Sequence, residues 1–374
     1  MMDTFSISEY EELISPTDRL PKDNLVPLLQ GLFSEVGSVM ATSKKLHREQ
    51  EAYLAYQSAV VEELGDVLWY LTAILRRLNI ALSKVLENAL PSLANSEELY
   101  ATSLSHAPLA NVKAYEQIDK IDDLLLQLGR EAADLLQIHN GSQDAMTLLV
   151  NFTSIYLQVV QSVKVPFSVI VQTNLQKARG RFIPPDIFSL PNFDAGFDPE
   201  ERLPDAFRIE IKQRASGRSY LRWNGVFIGD PLTDNIADKD AYRFHDVFHF
   251  AYAAILHWSP TFRALIKHKR KSCPETEEAQ DSGRAIVVEE GLSAYIFSSA
   301  KHLNFFENQT TVSFDILKTI QDFVRGYEVE QCPLSLWERA VLDGFRVFRE
   351  VRDHNGGIVI GNRKERTLQF EELK

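Results

Sequence analysis

The sequence predicts a mainly α protein of two domains. The first is an N-terminal helical bundle, and the second a C-terminal helical domain with small β-hairpins. Three observations carry this. Apolar residues recur at helical spacing through most of the chain as far as Phe182. Residues 186–206 are dense in Pro and Asp, and no helix survives that spacing of prolines. Beyond them, Phe207, Ile209 and Ile211 alternate with polar residues, the period of a strand. The expected division is therefore a helical domain over 1–185, a Pro-rich linker over 186–206 and a second domain over 207–374.

In chain order, a short helix and a Pro-containing approach occupy residues 8–25. An apolar helix with one carboxylate, Glu35, follows at Leu28 to Gly37. The next helix places Val60, Val61, Leu64, Val67, Leu68 and Leu71 on one stripe. Against that stripe stand Glu62, Glu63 and Asp66. They are three and four residues apart and so project from one side. Like charges at that spacing repel. Either a solvated acidic edge or a divalent cation with oxygen ligands accounts for them. Asn79-Ile80 breaks this helix, another runs from Ala81 to Leu90, and Pro91 closes the unit. Residues 91–112 read as a connection. Helical patterns resume at Leu128 to Leu136, Leu148 to Val163 and Phe167 to Lys177.

In the second domain, strands at 207–213 and 220–229 form a hairpin. Asp234 to Asp240 starts a helix over Ala241 to His257. Helices follow near 260–271, 282–302, 312–326 and 334–353. Gly356 to Phe370 forms a terminal hairpin whose turn carries Arg363, Lys364 and Arg366, read as a solvated basic turn.

The chain has 374 residues, 45% hydrophobic and 25% charged, which is ordinary globular composition. Its net charge of −12 argues against duplex nucleic acid or an anionic membrane as the main partner. It does not exclude a nucleotide, because bound Mg²⁺ reverses the local field. Cys273 and Cys332 make no metal-ligand spacing, so reduced thiols in a cytoplasmic protein are expected. The acidic N-terminus is unlike a secretory signal. No apolar run approaches the roughly 18 residues of a membrane span.

Gly31-Leu32-Phe33-Ser34-Glu35-Val36-Gly37, with Glu62-Glu63-Leu64-Gly65-Asp66-Val67-Leu68-Trp69-Tyr70, resembles the all-α MazG-type nucleoside triphosphate pyrophosphohydrolases. The resemblance implies Mg²⁺-dependent cleavage of a nucleoside triphosphate to monophosphate and pyrophosphate. It implies Glu35, Glu63 and Asp66 as Mg²⁺ ligands. The family pattern has a further Glu three residues after the first, where this chain has Ser38. Glu62, Glu131 or Asp134 would fill that place. Asn174, Lys177 and Arg181, at the end of the last helix, also resemble the pattern. By that resemblance Lys177 and Arg181 hold phosphate oxygens and Asn174 contacts sugar or phosphate.

Leu128 to Leu136 lays over Leu32 to Met40, with Glu131 on Glu35 and Asp134 on Ser38. Asn151 and Ser154 stand where the second unit would carry carboxylates, and Asn88 falls at the place of Asn174. The expectation is an internal duplication, 25–90 and 118–182, with divided labour. Two copies packed together would imitate the homodimer in which many family members work. A homo-oligomer is also expected.

Tyr242-Arg243-Phe244-His245-Asp246-Val247-Phe248-His249 places two histidines four apart on one helix, the spacing with which helical His pairs grip a transition metal. Glu289 and Glu290 lie in an otherwise apolar helix, and buried carboxylates are costly unless paired or metal-bound. Two solutions stay open. One is a Zn, Fe or Mn ion on His245, His249 and Glu289 or Glu290. The other is a polar network with Arg243, Arg284 or a charged His. Asp246 is expected to point about 100° away from the pair, as a base or outer group rather than a ligand. The half beyond the boundary looks like the C-terminal domain fused to some MazG-type proteins. His47, His106 and His139 are expected to be surface or packing residues. The rival readings are a metallohydrolase centred on His245 and His249, a non-catalytic nucleotide sensor, and a helical interaction module.

Overall fold

A computed structural model describes residues 6–90, 120–138, 144–234, 237 and 239–373. The expected connection at 91–112, His106 and His139 lie outside the described residues. The chain divides into two compact units, Met1–Ile183 and Pro184–Lys374. The fold is mainly α with one small antiparallel sheet.

The first unit is all helical. Its described helices are α1 (Ile7–Ile14), α2 (Val26–Glu49), α3 (Tyr56–Arg77), α4 (Leu82–Ala89), α5 (Ile121–Leu135), α6 (Ala145–Ser162) and α7 (Phe167–Phe182). Local chemistry sets several of the starts. Ser6 and Glu9 form a reciprocal capping box at α1. Pro27 opens α2, where its missing N–H costs nothing, and Pro166 precedes α7. The stripe expected on α3 is buried: Leu64, Val67, Leu68 and Leu71 are all 0% exposed. It shares one core with Leu28, Leu32 and Val36 of α2 and with Leu149, Phe152 and Leu157 of α6.

The helix pairings are α2 with α3, α5 with α6, α2 with α5, α3 with α7 and α4 with α6. The α3–α7 crossing is close because Gly65 lies at it. A Cβ on Gly65 would come 2.9 Å from the Asn174 Cβ. Gly31 likewise accepts the Tyr70 ring, which a Cβ there would overlap.

The second unit joins the expected hairpins into one five-stranded antiparallel sheet in the order β3-β2-β1-β4-β5. The strands are β1 (Ala206–Gln213), β2 (Ser219–Trp223), β3 (Val226–Leu232), β4 (Gly356–Asn362) and β5 (Thr367–Glu371). Their junction is β1 with β4, where Ile209 stands opposite Val359 and Phe207 opposite Gly361. A Cβ on Gly361 would overlap the Phe207 ring, so the pairing needs a glycine there. Between the hairpins the chain forms α8 (Asp246–Ala251), α9 (Pro260–Ile266), the short α10 (Pro274–Thr276), α11 (Gly283–Lys301), α12 (Phe314–Phe323) and α13 (Leu334–Asp353). α13 packs against α8, β4 and β5. An aromatic cluster of Phe248, Phe297, Phe345 and Phe348 fills that region.

Four expectations need correction. The single strand expected over 220–229 is two, β2 and β3, folded back on each other at Asn224-Gly225, both of which have positive φ. The helix expected over Ala241 to His257 is a 3₁₀ turn (Tyr242–Phe244), then α8, then a π-helical segment (Tyr252–Leu256). The Pro-rich stretch is not a free linker, since residues from Pro184 onward belong to the second unit. There Asp194 is 1% exposed, pairs with Arg263 and Arg363, and accepts a 2.9 Å hydrogen bond from the Leu203 N–H. The basic turn at 363–366 is not solvated either. Arg363 and Arg366 are 4% and 3% exposed, and Arg366 donates to the Ile255 and Pro191 carbonyls. Among the described residues, no single helix is long and apolar enough to cross a membrane.

Candidate functional sites

In the first unit, Glu35 comes from α2, Glu62, Glu63 and Asp66 from α3, and Asn174 and Lys177 from α7. One carboxylate oxygen each from Glu35, Glu63 and Asp66 lies within 4.8 Å of the others. Burial raises the Glu35 carboxyl to about 7, and the Asp66 and Glu63 charges add to the effect. A hydrogen bond with Glu63 adds further, and it requires a proton on one partner. Tyr70, seated on Gly31, is pushed up by burial and then by the Glu35 and Asp66 charges.

Lys177 reaches across from α7, with Nζ 2.9 Å from Glu62 Oε1 and 2.5 Å from Asp66 Oδ2. Burial works against its charge, but Asp66 and Glu62 outweigh it and leave the ammonium above its ordinary value. Asn174 is 2% exposed and directs Nδ2 at Asp66 Oδ1, 3.4 Å away. Its carbonyl oxygen accepts from the Tyr10 hydroxyl at 3.0 Å. Sequence reasoning missed Tyr10, which is separated from Asn174 by 164 positions and carries no local signal. Arg181 lies one turn beyond Lys177, its guanidinium 5.6 Å from the Phe182 ring centroid.

The structure does not bring every expected ligand into the group. Glu62 is drawn to Lys177. Glu131 and Asp134 sit on α5, outside the carboxylate cluster, where burial and the Asp134 charge raise the Glu131 carboxyl. Asn88 is exposed and hydrogen-bonds the Lys84 carbonyl of its own helix. The cluster that does form is an all-oxygen donor set whose self-repulsion a hard divalent cation relieves, so it fits Mg²⁺.

In the second unit, His245, Asp246 and His249 each offer a ligand atom within 4.8 Å of the others. Asp246 therefore does not point away from the pair. The expectation assumed a regular helix, but His245 sits at the junction of the 3₁₀ turn and α8. Burial raises the Asp246 carboxyl, opposed by the two imidazoles.

Glu289 and Glu290 play different parts. Glu289 is 0% exposed and accepts three hydrogen bonds, from Ser259 Oγ (2.6 Å), the Thr261 N–H (2.8 Å) and His249 Nδ1 (2.9 Å). Glu290 turns one oxygen to each histidine, 3.5 Å from His245 Nε2 and 3.3 Å from His249 Nε2. Burial alone would lower the basicity of His249; Glu289 and Glu290 reverse that and hold it well above the ordinary value. Arg243 serves Asp234 and Gln213. Tyr242 and Ser259 are the partners here that sequence reasoning missed. Tyr242 had a signal in its position three residues before His245.

The fold and these clusters define a mainly α, two-unit protein with an acidic helical site and a separate histidine–carboxylate site. Residues 188–374 match the family model described as the MazG C-terminal domain. That stretch is half of the chain, and the chain belongs to this family. No curated protein and no solved structure matches it significantly.

Proposed function

We propose that the first unit hydrolyses a nucleoside triphosphate to its monophosphate and pyrophosphate. One observation supports this above the rest: Glu35, Glu63 and Asp66 converge within 4.8 Å, with Lys177 and Asn174 brought against Asp66 by another helix. Glu35, Glu63 and Asp66 would hold Mg²⁺. When bound, Mg²⁺ neutralises phosphate charge and lowers the pKa of a coordinated water. Glu62 positions Lys177, whose ammonium stands at the edge of the group, where phosphate oxygens would lie. Tyr10 fixes the Asn174 amide, so that Nδ2 is the end turned to the site.

The reading extends to an internal duplication. With α2, α3 and α4 matched to α5, α6 and α7, the pairings obey a two-fold rule. The second helix of each set carries the third helix of the other, and the two first helices meet. Lys177 and Asn174 are thus supplied to the acidic helix from the opposite repeat. The related positions Asn151, Ser154 and Asn88 carry no charge, so one composite site is expected per chain.

With Mg²⁺ and a panel of nucleoside triphosphates, the protein should release pyrophosphate. Asp66→Asn should abolish turnover while preserving shape. Lys177→Ala should weaken nucleotide binding without changing assembly. Release of orthophosphate, or an undiminished Asp66→Asn protein, contradicts the assignment. Tight binding without turnover supports a nucleotide sensor instead, a reading that Ser38 favours by withholding the fourth family carboxylate.

A further inference from the structure

The second unit contains a buried imidazole nitrogen that lacks a well-formed hydrogen bond. His249 is 0% exposed, and its Nε2 lies 3.3 Å from Glu290 Oε1 without hydrogen-bond geometry. A buried polar atom left in that state is costly, and its persistence calls for a ligand.

The tautomers follow from the partners. His245 Nδ1 lies 3.0 Å from the Tyr242 carbonyl, which can only accept, so Nδ1 carries the proton. His249 Nδ1 lies 2.9 Å from the Glu289 carboxylate, whose other contacts are donors, so it too carries the proton. With Nδ1 protonated in each ring, both Nε2 atoms are the ones directed at Glu290. Nitrogen and carboxylate oxygen at this distance need a positive charge between them, either a proton on Nε2 or a metal ion.

The spacing agrees with a metal ion. Two donors each roughly 2.0–2.2 Å from a tetrahedral ion stand roughly 3.3–3.6 Å apart. The observed separations, each to a different oxygen of Glu290, are 3.3 and 3.5 Å. The rings are also held from behind. Tyr242 stacks on His245 with centroids 4.5 Å apart and planes 7° from parallel. Glu289 orients His249 in the carboxylate–histidine arrangement that supports metal ligands, and is itself fastened by Ser259 and Thr261.

We infer that His245 Nε2, His249 Nε2 and the Glu290 carboxylate bind one divalent first-row transition ion, with Asp246 at the same centre. Two imidazoles and a carboxylate suit Zn²⁺, Fe²⁺ or Mn²⁺ better than Mg²⁺. The Glu290 side chain is 38% exposed, so the centre opens to solvent and leaves a position for water, as catalytic rather than structural sites do. None of these ligands comes from the carboxylate cluster of the first unit.

The test is metal content and uptake in the purified full-length protein, using Zn²⁺, Mn²⁺ and anaerobic Fe²⁺ separately, with Mg²⁺ in excess. One equivalent of transition ion per chain is expected. His249→Ala should lose it. Because His249 is buried, Glu290→Gln at the solvent edge is the second variant. It should fold as the parent does by circular dichroism and also lose the ion. Glu289→Gln, a positioning change, should weaken binding about 10–100-fold without removing the site. Asp66→Asn should keep the ion, which separates this centre from the first unit. Co²⁺ bound in its place should give the parent an absorption band that Glu290→Gln lacks. A parent protein that neither carries nor takes up any of these ions at micromolar concentration overturns the inference. Equal uptake by parent and Glu290→Gln does the same.

Discussion

On the proposed reading, Glu35 would link proton and cation binding at a single carboxyl. Its folded value of about 7 lies above the ordinary 4.5 because burial and two neighbouring carboxylates penalise its charge. Its contribution to stability is therefore present below pH 4.5 and lost as pH rises through about 7. The metal-free bundle should weaken across that window, and Mg²⁺ should restore it. The same proton must leave before a cation binds. Mg²⁺ affinity, measured by calorimetry, should rise about tenfold from pH 6 to pH 8. Glu35→Gln should flatten that dependence, and an unchanged slope would remove Glu35 from the site.

At the scale of elements, the crossing of α3 and α7 decides whether Asn174 and Lys177 reach Asp66. Glycine inside a helix costs about 1 kcal/mol relative to alanine, so Gly65→Ala in an unconstrained helix would stabilise it. Here the new Cβ would meet the Asn174 Cβ at 2.9 Å, and the Ile170 carbonyl oxygen lies 3.5 Å away. α7 must move, carrying Asn174 and Lys177 off Asp66. The variant should lose about 1–3 kcal/mol in denaturant unfolding, as overpacked sites do. Its nucleotide turnover should fall with that loss. A stabilised Gly65→Ala protein would show that α7 does not pack where this structure has it. The second unit has a comparable device in π-helical Tyr252–Leu256, immediately after α8. Such single π turns recur at functional sites.

At the scale of the molecule, the second unit is held by charge as well as by apolar burial. Arg263, Arg270, Asp194 and Asp281 are each at most 1% exposed. Arg270 spans Asp281 and Glu328, with closest contacts of 2.7 and 2.6 Å, while Arg363 reaches Asp194 at 3.2 Å. Removing one member of such a network leaves buried charge that the remaining partners do not fully compensate. Asp194→Ala should therefore cost about 3–5 kcal/mol. Because Asp194 also holds the Leu203 N–H, residues 184–205 should become protease-sensitive in the variant. Protection equal to the parent's would return that stretch to the status of a linker. The chain's overall acidity gives no hint of this network, since net charge says nothing about which charges are buried.

The local features were legible in the sequence because they depend on nearby positions. Helical spacing put Glu63 and Asp66 on one side of α3 and His245 and His249 together on one segment, and the 3.6-residue period marked the buried stripe of α3. The alternating strands of the second unit were equally local. Which groups meet was decided only in the folded chain. Tyr10 finds Asn174, Glu62 turns to Lys177 while Glu63 turns to Glu35, and Glu289 fastens His249 while its neighbour Glu290 faces two imidazoles. Adjacent residues of identical chemistry received different roles because each projects in its own direction and meets different partners. Periodicity specifies the face a residue occupies. The atoms opposite that face, and whether water reaches them, depend on packing between distant segments, 164 positions apart for Tyr10 and Asn174.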